Sequence, residues 1–207
     1  MKILITAGPT REAIDPVRYL TNRSSGKMGY AIAEAAVAAG HQVLLISGPT
    51  SVDVPDGVDY LPVESADDMY RAVESYLPRM EAAFFSAAVA DYAPAVVEEQ
   101  KIKKSGDEMT LKLVKTKDVL GAARTVFGFT GFLAGFAAET ENLEINARNK
   151  LEKKGCDLIV ANDVSRSDIG FDSNENEALL VFADRTERFP KAAKHELACH
   201  LISMLAV

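Results

Sequence analysis

The chain has 207 residues, 48% of them hydrophobic and 26% charged, with no low-complexity tract; that suits one sizeable α/β domain and is short for two. Its net charge of −7 argues against general affinity for nucleic acid or an anionic membrane, so local basic clusters carry more information than the total. Cys156 and Cys199 stand far apart and make neither a disulfide framework nor a metal site, which fits a reduced, cytoplasmic protein.

In chain order, KILITAG (2–8) reads as a first buried strand, and its apolar opening is too short for a secretory signal. GKMGYAIAEAAVAAG (26–40) has helical apolar spacing, with Gly40 as the stop. QVLLISG (42–48) is a second strand, and SADDMYRAVESYLPRM (65–80) a helix opened by a box of Ser65 and Asp68. AAFFSAAVA (82–90) is the third strand. The polar stretch around residues 94–107 reads as an exposed, mobile loop. EMTLKLVKT (108–116) alternates like a half-buried strand. Helix 118–127, strand 133–139, helix 143–155 and strand 156–163 follow. A terminal hairpin (176–189) and a closing amphipathic helix complete the series. The longest uncharged run, Thr125 to Ala138, is shorter than the roughly 20 residues of a membrane span.

Near-continuously apolar strands separated by helices predict a Rossmann-like, doubly wound, mainly parallel sheet in a single domain over 1–207, extended by the C-terminal hairpin and closing helix. In such sheets ligands sit beyond the carboxyl ends of the strands. That rule gathers AGPT (7–10), SGPT (47–50), AAVADY (87–92), FAAET (136–140) and AND (161–163) on one rim.

TNRSSGKMG (21–29) lies at a helix start without the Walker pattern, since Thr21 stands for glycine and Met28 for a hydroxyl residue. Two hydroxyls, a glycine and unpaired first-turn N–H groups make an anion site; an ordinary cap by Ser24 or Ser25 is the alternative. KIKK (101–104) is either a solvated face or a lysine flap over phosphates. Lys150 and Lys154 share a helix face, while Arg148 and Lys153 are expected to point elsewhere. His41, His195 and His200 fall away from the rim, and no Ser–His, Cys–His or metal-ligand spacing occurs. Lysines, hydroxyls, amides and Asp91 suit phosphate chemistry. A reductase is disfavoured, because AGPTREAID lacks G-x-G-x-x-G and no tyrosine has a lysine four residues on. A nucleotide-binding regulatory module without turnover remains an alternative to an enzyme.

The motifs ITAGPTREAIDPVRYLTNRSSGKMG (5–29), SAAVADYAP (86–94), KIKK, GFAAET (135–140), ARNK (147–150) and LIVANDVS (158–165) together resemble the phosphopantothenate–cysteine ligase (phosphopantothenoylcysteine synthetase) family of coenzyme A biosynthesis. The resemblance implies a bacterial-type, CTP-dependent ligase that forms an acyl-cytidylate and passes the acyl group to cysteine. It also implies a stand-alone ligase without flavin, Mg²⁺ on the triphosphate, and a homodimer. Carried over position by position, Asn22 contacts the acyl intermediate. Ser24, Ser25, Gly26, Ala87 and Ala88 bind the phosphorylated acid, and Lys101 serves cytidylate formation. Gly8, Asp91, Lys117, Asp118, Val119, Leu120, Phe136, Lys150 and Lys154 bind nucleotide, with Asp91 the one nominated metal helper. The family commonly has proline where Lys117 stands.

Overall fold

The computed structural model describes residues 1–104, 106–163 and 173–205. Ser105 of the lysine loop, Val164 and Ser165 of LIVANDVS, and the last two residues after the closing helix lie outside them.

Eight strands form the central sheet. They are β1 (Lys2–Ala7), β4 (Gln42–Ser47), β5 (Val58–Pro62), β6 (Ala82–Phe85), β9 (Phe132–Glu139), β10 (Leu158–Asp163), β11 (Glu175–Val181) and β12 (Thr186–Ala193). Their order across the sheet is β12-β11-β10-β9-β6-β1-β4-β5. The six strands from β5 to β10 run parallel, and only β11 and β12 pair antiparallel. The expected hairpin is therefore no appendage, because β11 pairs with β10 and continues the sheet.

Strand alternation sorts the core into two layers. Ile3, Ile5 and Ala7 of β1 face α1 (Lys27–Ala38) and α5 (Lys194–Ser203). Leu4 faces the other layer, with α2 (Ala66–Tyr76), α3 (Val119–Thr125) and α4 (Leu143–Lys154). Ile3, Leu4 and Ile5 are fully buried, and each such side chain contributes about 1.5–3 kcal/mol relative to exposure. Gly40, in a left-handed turn, closes α1: its N–H donates to Val37, and His41 N–H donates to Ala36. Ser65 and Asp68 make the reciprocal box that opens α2. Pro78 ends that helix in a short 3₁₀ turn, Leu77–Arg79, so the element is shorter than the sequence pattern implied.

Two small ribbons flank the sheet: β2 (Arg11–Ala13) with β3 (Tyr19–Thr21), and β7 (Tyr92–Pro94) with β8 (Leu113–Lys115). The segment 108–116, expected to be a half-buried strand, keeps only three strand residues, all exposed. Its partner is the equally short β7, in which Pro94 alone is buried, so there is too little covered surface for the alternation to use.

Candidate active site

From β1 the chain winds outward through β4 and β5, then returns to place β6 on the other side of β1. The strand order thus reverses between β1 and β6, where a doubly wound sheet opens a crevice at its carboxyl rim. Beyond the strands, the two chains run side by side. Ala88 N–H donates to the Gly8 carbonyl at 2.9 Å, Thr10 N–H to the Ala88 carbonyl at 3.3 Å, and Ala90 N–H to the Thr10 hydroxyl at 3.0 Å. Gly8 adopts φ +70°, and a Cβ there would stand 2.7 Å from the Gly48 carbonyl oxygen, so only glycine lets the strand ends approach this closely.

The β2–β3 ribbon returns the chain to this rim. Thr21 Oγ1 donates to the Thr10 carbonyl at 2.7 Å, and Asn22 Nδ2 donates to the carbonyls of Ala88 and Val89 at 3.1 and 3.3 Å. Gly26 then sits at the N-cap of α1 with φ 79° and no side-chain cap, and no acidic residue lies in the first turn. Ser24 Oγ accepts from Gly26 N–H at 3.3 Å, too early in the chain to cap the helix, and Thr50 Oγ1 donates to the Ser25 carbonyl at 2.7 Å. The ordinary-cap alternative therefore falls. No side-chain cap and no first-turn carboxylate among the described residues offsets the partial positive charge of the helix end.

Two cavities share this rim. The first, 430 Å³, is lined by Asn22, Ser24, Ser25, Gly26, Ala87 and Ala88, and also by Asn162, Asn176 and Lys194. The second, 750 Å³, is lined by Lys117, Asp118, Val119, Leu120, Lys153 and Lys154. Ala87, Val89, Asp91, Phe136 and Lys150 line both, forming a common wall. Lys150 Nζ donates to the Phe136 carbonyl at 2.6 Å. Burial, and then the neighbouring Lys154 charge, lower its pKa from the ordinary 10.5. Lys154 donates to Asp118, whose other oxygen accepts from Gly121 N–H at 2.8 Å and so caps α3. Burial raises the Asp118 carboxyl, yet the Lys154 ammonium and the Gly121 N–H outweigh it and hold it below the usual range. Lys117 lines the larger cavity, and its ammonium pairs with Asp67 at 2.9 Å and lies 4.7 Å from the Tyr70 ring centroid.

Lys101 and Gly8 line neither cavity. Lys153, expected to point elsewhere, lines the larger one: residues three and four apart both lie on one helix face, so Lys153 and Lys154 flank the line through Lys150. Asn162 lay in a segment assigned to the rim but had no role. Asn176 and Lys194 gave no signal, because they reach the site only through β11 pairing onto β10. Among the described residues no group of three or more His, Cys, Asp or Glu could hold a metal ion. Asp91 is the single carboxylate common to both cavities, a donor set that fits a magnesium ion carried mainly by phosphates rather than a protein cage. Cys156 is buried, which pushes its thiol up to about 12, and Cys199 is exposed; both are free thiols.

The model of the DNA/pantothenate metabolism flavoprotein C-terminal domain family matches residues 1–207. The chain is 47% identical over 205 residues to the coenzyme A biosynthesis bifunctional protein CoaBC of Vibrio vulnificus (strain CMCP6), covering 98% of this chain and 51% of that protein. The CoaBC of Bacillus subtilis (strain 168) is 46% identical over 209 residues, covering 99% and 50%. The chain thus spans about half the length of the curated relatives it matches. The crystal structure of a CoaBC C-terminal domain superposes with a TM-score of 0.84 at 40% identity, covering 99% of this chain and 93% of that one. A Cab2 mutant in complex with phosphopantothenate-cysteine has a TM-score of 0.78 at 16% identity, covering 99% and 85%, a likeness of fold alone.

Proposed function

This chain belongs to the DNA/pantothenate metabolism flavoprotein C-terminal domain family, and on that premise we propose that its residues 1–207 form one ligase domain joining 4′-phosphopantothenate to L-cysteine at the expense of CTP. The observation that carries this reading is the wall shared by the two cavities. One side offers an uncapped helix end with Ser24 and Ser25, suited to a phosphomonoester; the other offers Lys150, Lys153 and Lys154, suited to a triphosphate. An acid held in the first and a nucleotide in the second bring a carboxylate against an α-phosphorus across Ala87, Val89 and Phe136.

The carboxylate attacks that phosphorus, the α–β phosphoanhydride bond breaks, and pyrophosphate leaves with its electron pair. The cysteine amine then attacks the acyl carbon and loses a proton, and the nucleoside monophosphate departs. Both partners of the first step are anions, so the lysines lower their repulsion and stabilise the charge transferred to the leaving oxygen. A magnesium ion on the phosphates, with Asp91 as its protein carboxylate, would add Lewis-acid stabilisation there. With both amide hydrogens engaged by carbonyls, Asn22 offers its Oδ1 to a ligand, an acceptor suited to the N–H of the attacking amine. Lys101 is assigned to nucleotidyl transfer by the family pattern; it stands on the exposed loop outside both cavities, so its long side chain must extend to the phosphates when they are bound.

The test is turnover. Pyrophosphate should appear with CTP and 4′-phosphopantothenate, and the amide only when cysteine is added; ATP is run in parallel to read nucleotide choice. Nucleotide binding without pyrophosphate release under any combination would support the regulatory module instead.

A further inference from the structure

Asp15 is a carboxylate whose side chain is fully inaccessible, and the catalytic steps above leave it unused. Its Oδ1 accepts from the N–H groups of Val17 and Arg18, both at 2.9 Å, closing the turn between β2 and β3. Its Oδ2 does something else. It accepts from Ile102 N–H at 3.1 Å and from the Arg18 guanidinium at 2.5 and 3.0 Å, while the same guanidinium donates to the Ile102 carbonyl at 3.0 Å. Both main-chain polar groups of Ile102 are thus held by one ion pair 84 to 87 residues away in sequence. Upstream, Glu98 N–H donates to the Ile14 carbonyl at 3.0 Å, fastening the same limb to the same turn. The carboxylate of this pair is buried while the Arg18 side chain is 39% exposed, so the pair is a weak source of stability, and its bonds to Ile102 matter for geometry. The turn needs only Oδ1; the second oxygen is spent on the loop.

We propose that Asp15 is a positioning residue: with Arg18 it fixes the main chain at Ile102 and thereby the point from which the adjacent Lys101 acts. The inference rests on the role given to Lys101 under the proposed function. The loop of residues 95–112 is divided by this clamp. Lys101 lies on the fastened side, and Lys103 and Lys104 lie on the limb that runs on to β8. A lysine stem has four rotatable bonds, so a fixed backbone root is what turns a general cation into a directed one, and displacement of a catalytic group by about 1 Å can lower a rate about 10²-fold.

Asp15→Asn separates the two jobs of the carboxylate. The asparagine oxygen still closes the turn, whereas its Nδ2 presents hydrogens to Ile102 N–H and the guanidinium. The expected result is faster amide hydrogen exchange at 99–104, a loss of about tenfold or more in pyrophosphate formation at saturating substrate, and a KM for 4′-phosphopantothenate within about threefold of the parent. Should that variant fail to fold, Arg18→Lys is measured in its place; it keeps a cation on Asp15 and cannot bridge to the Ile102 carbonyl. Lys101→Gln is assayed beside both, alone and in combination, and the losses should not add, because one residue acts through the other. Faster exchange at 99–104 with parental kcat overturns the positioning role, and so does additive loss in the double variant. If Lys101→Gln itself releases pyrophosphate at the parental rate, the assignment of Lys101 fails and this inference fails with it. If Lys101→Gln is impaired while Asp15→Asn is not, only this inference falls.

Discussion

Lys150 donates to a main-chain carbonyl on the wall between the cavities, and burial together with the Lys154 charge makes its ammonium easier to deprotonate than an ordinary lysine. A bound polyphosphate works in the opposite direction, since an anion favours the charged form and raises the pKa again. Nucleotide binding should therefore take up a proton at pH values above the lowered pKa and below the ordinary 10.5, and affinity should fall as pH rises through that window. Calorimetric titration in two buffers of different ionisation enthalpy measures the uptake directly. Lys150→Met should remove it, and an unchanged proton uptake in that variant would assign it to another group. At this scale the sequence was informative wherever chemistry and spacing coincide. The i, i+4 pair of Lys150 and Lys154 could be read as one face, and Lys153 at i+3 belonged to the same face by the same rule. Ser24 and Ser25 left a capping reading open that only the backbone of Gly26 removed, because a left-handed N-cap residue cannot be recognised from its neighbours.

Helix α1 brings its bare end to the rim because it lies almost directly on β1. A Cβ added at Gly29 would stand 2.5 Å from the Ala7 Cβ and 3.2 Å from the Thr6 carbonyl oxygen. Gly29→Ala must push the helix off the strand, with an expected loss of about 1–3 kcal/mol in unfolding free energy. The accompanying change is weaker binding of the phosphorylated acid, with nucleotide affinity less affected, since α1 contributes to one cavity only. Equal weakening of both ligands would show that the helix position is not what matters. Long elements with repeated apolar spacing were legible: β1, β4, β9, α1 and α4 all fall close to their expected bounds. Short ones were not. β2, β3, β7 and β8 have three residues each, too few to express a period. β5 is an edge strand of mixed exposure ending in Pro62, so its composition reads as a loop.

Across the whole molecule, the two small ribbons leave apolar side chains in water. Val17, Tyr19, Val96, Val97, Leu113 and Val114 are all exposed on or beside them. A second copy of the chain is the occupant proposed for this face, in keeping with the homodimer that the family pattern implies. Val114→Glu should then give a monomer by sedimentation at concentrations where the parent is a dimer; a dimer unaffected by the change would place the interface elsewhere. The doubly wound topology was readable from the alternation of strands and helices. That β11 and β12 extend the sheet was not, because the pattern of a hairpin does not show whether its first strand also pairs with the strand before it.

The central claim is that the acid's carboxylate attacks the α-phosphorus of the nucleotide across a shared wall. Oxygen-18 in the carboxylate of 4′-phosphopantothenate tests it most directly. After turnover with CTP and cysteine, one labelled oxygen should be found in the CMP released. Label in inorganic phosphate instead, or CMP free of it, would contradict the mechanism.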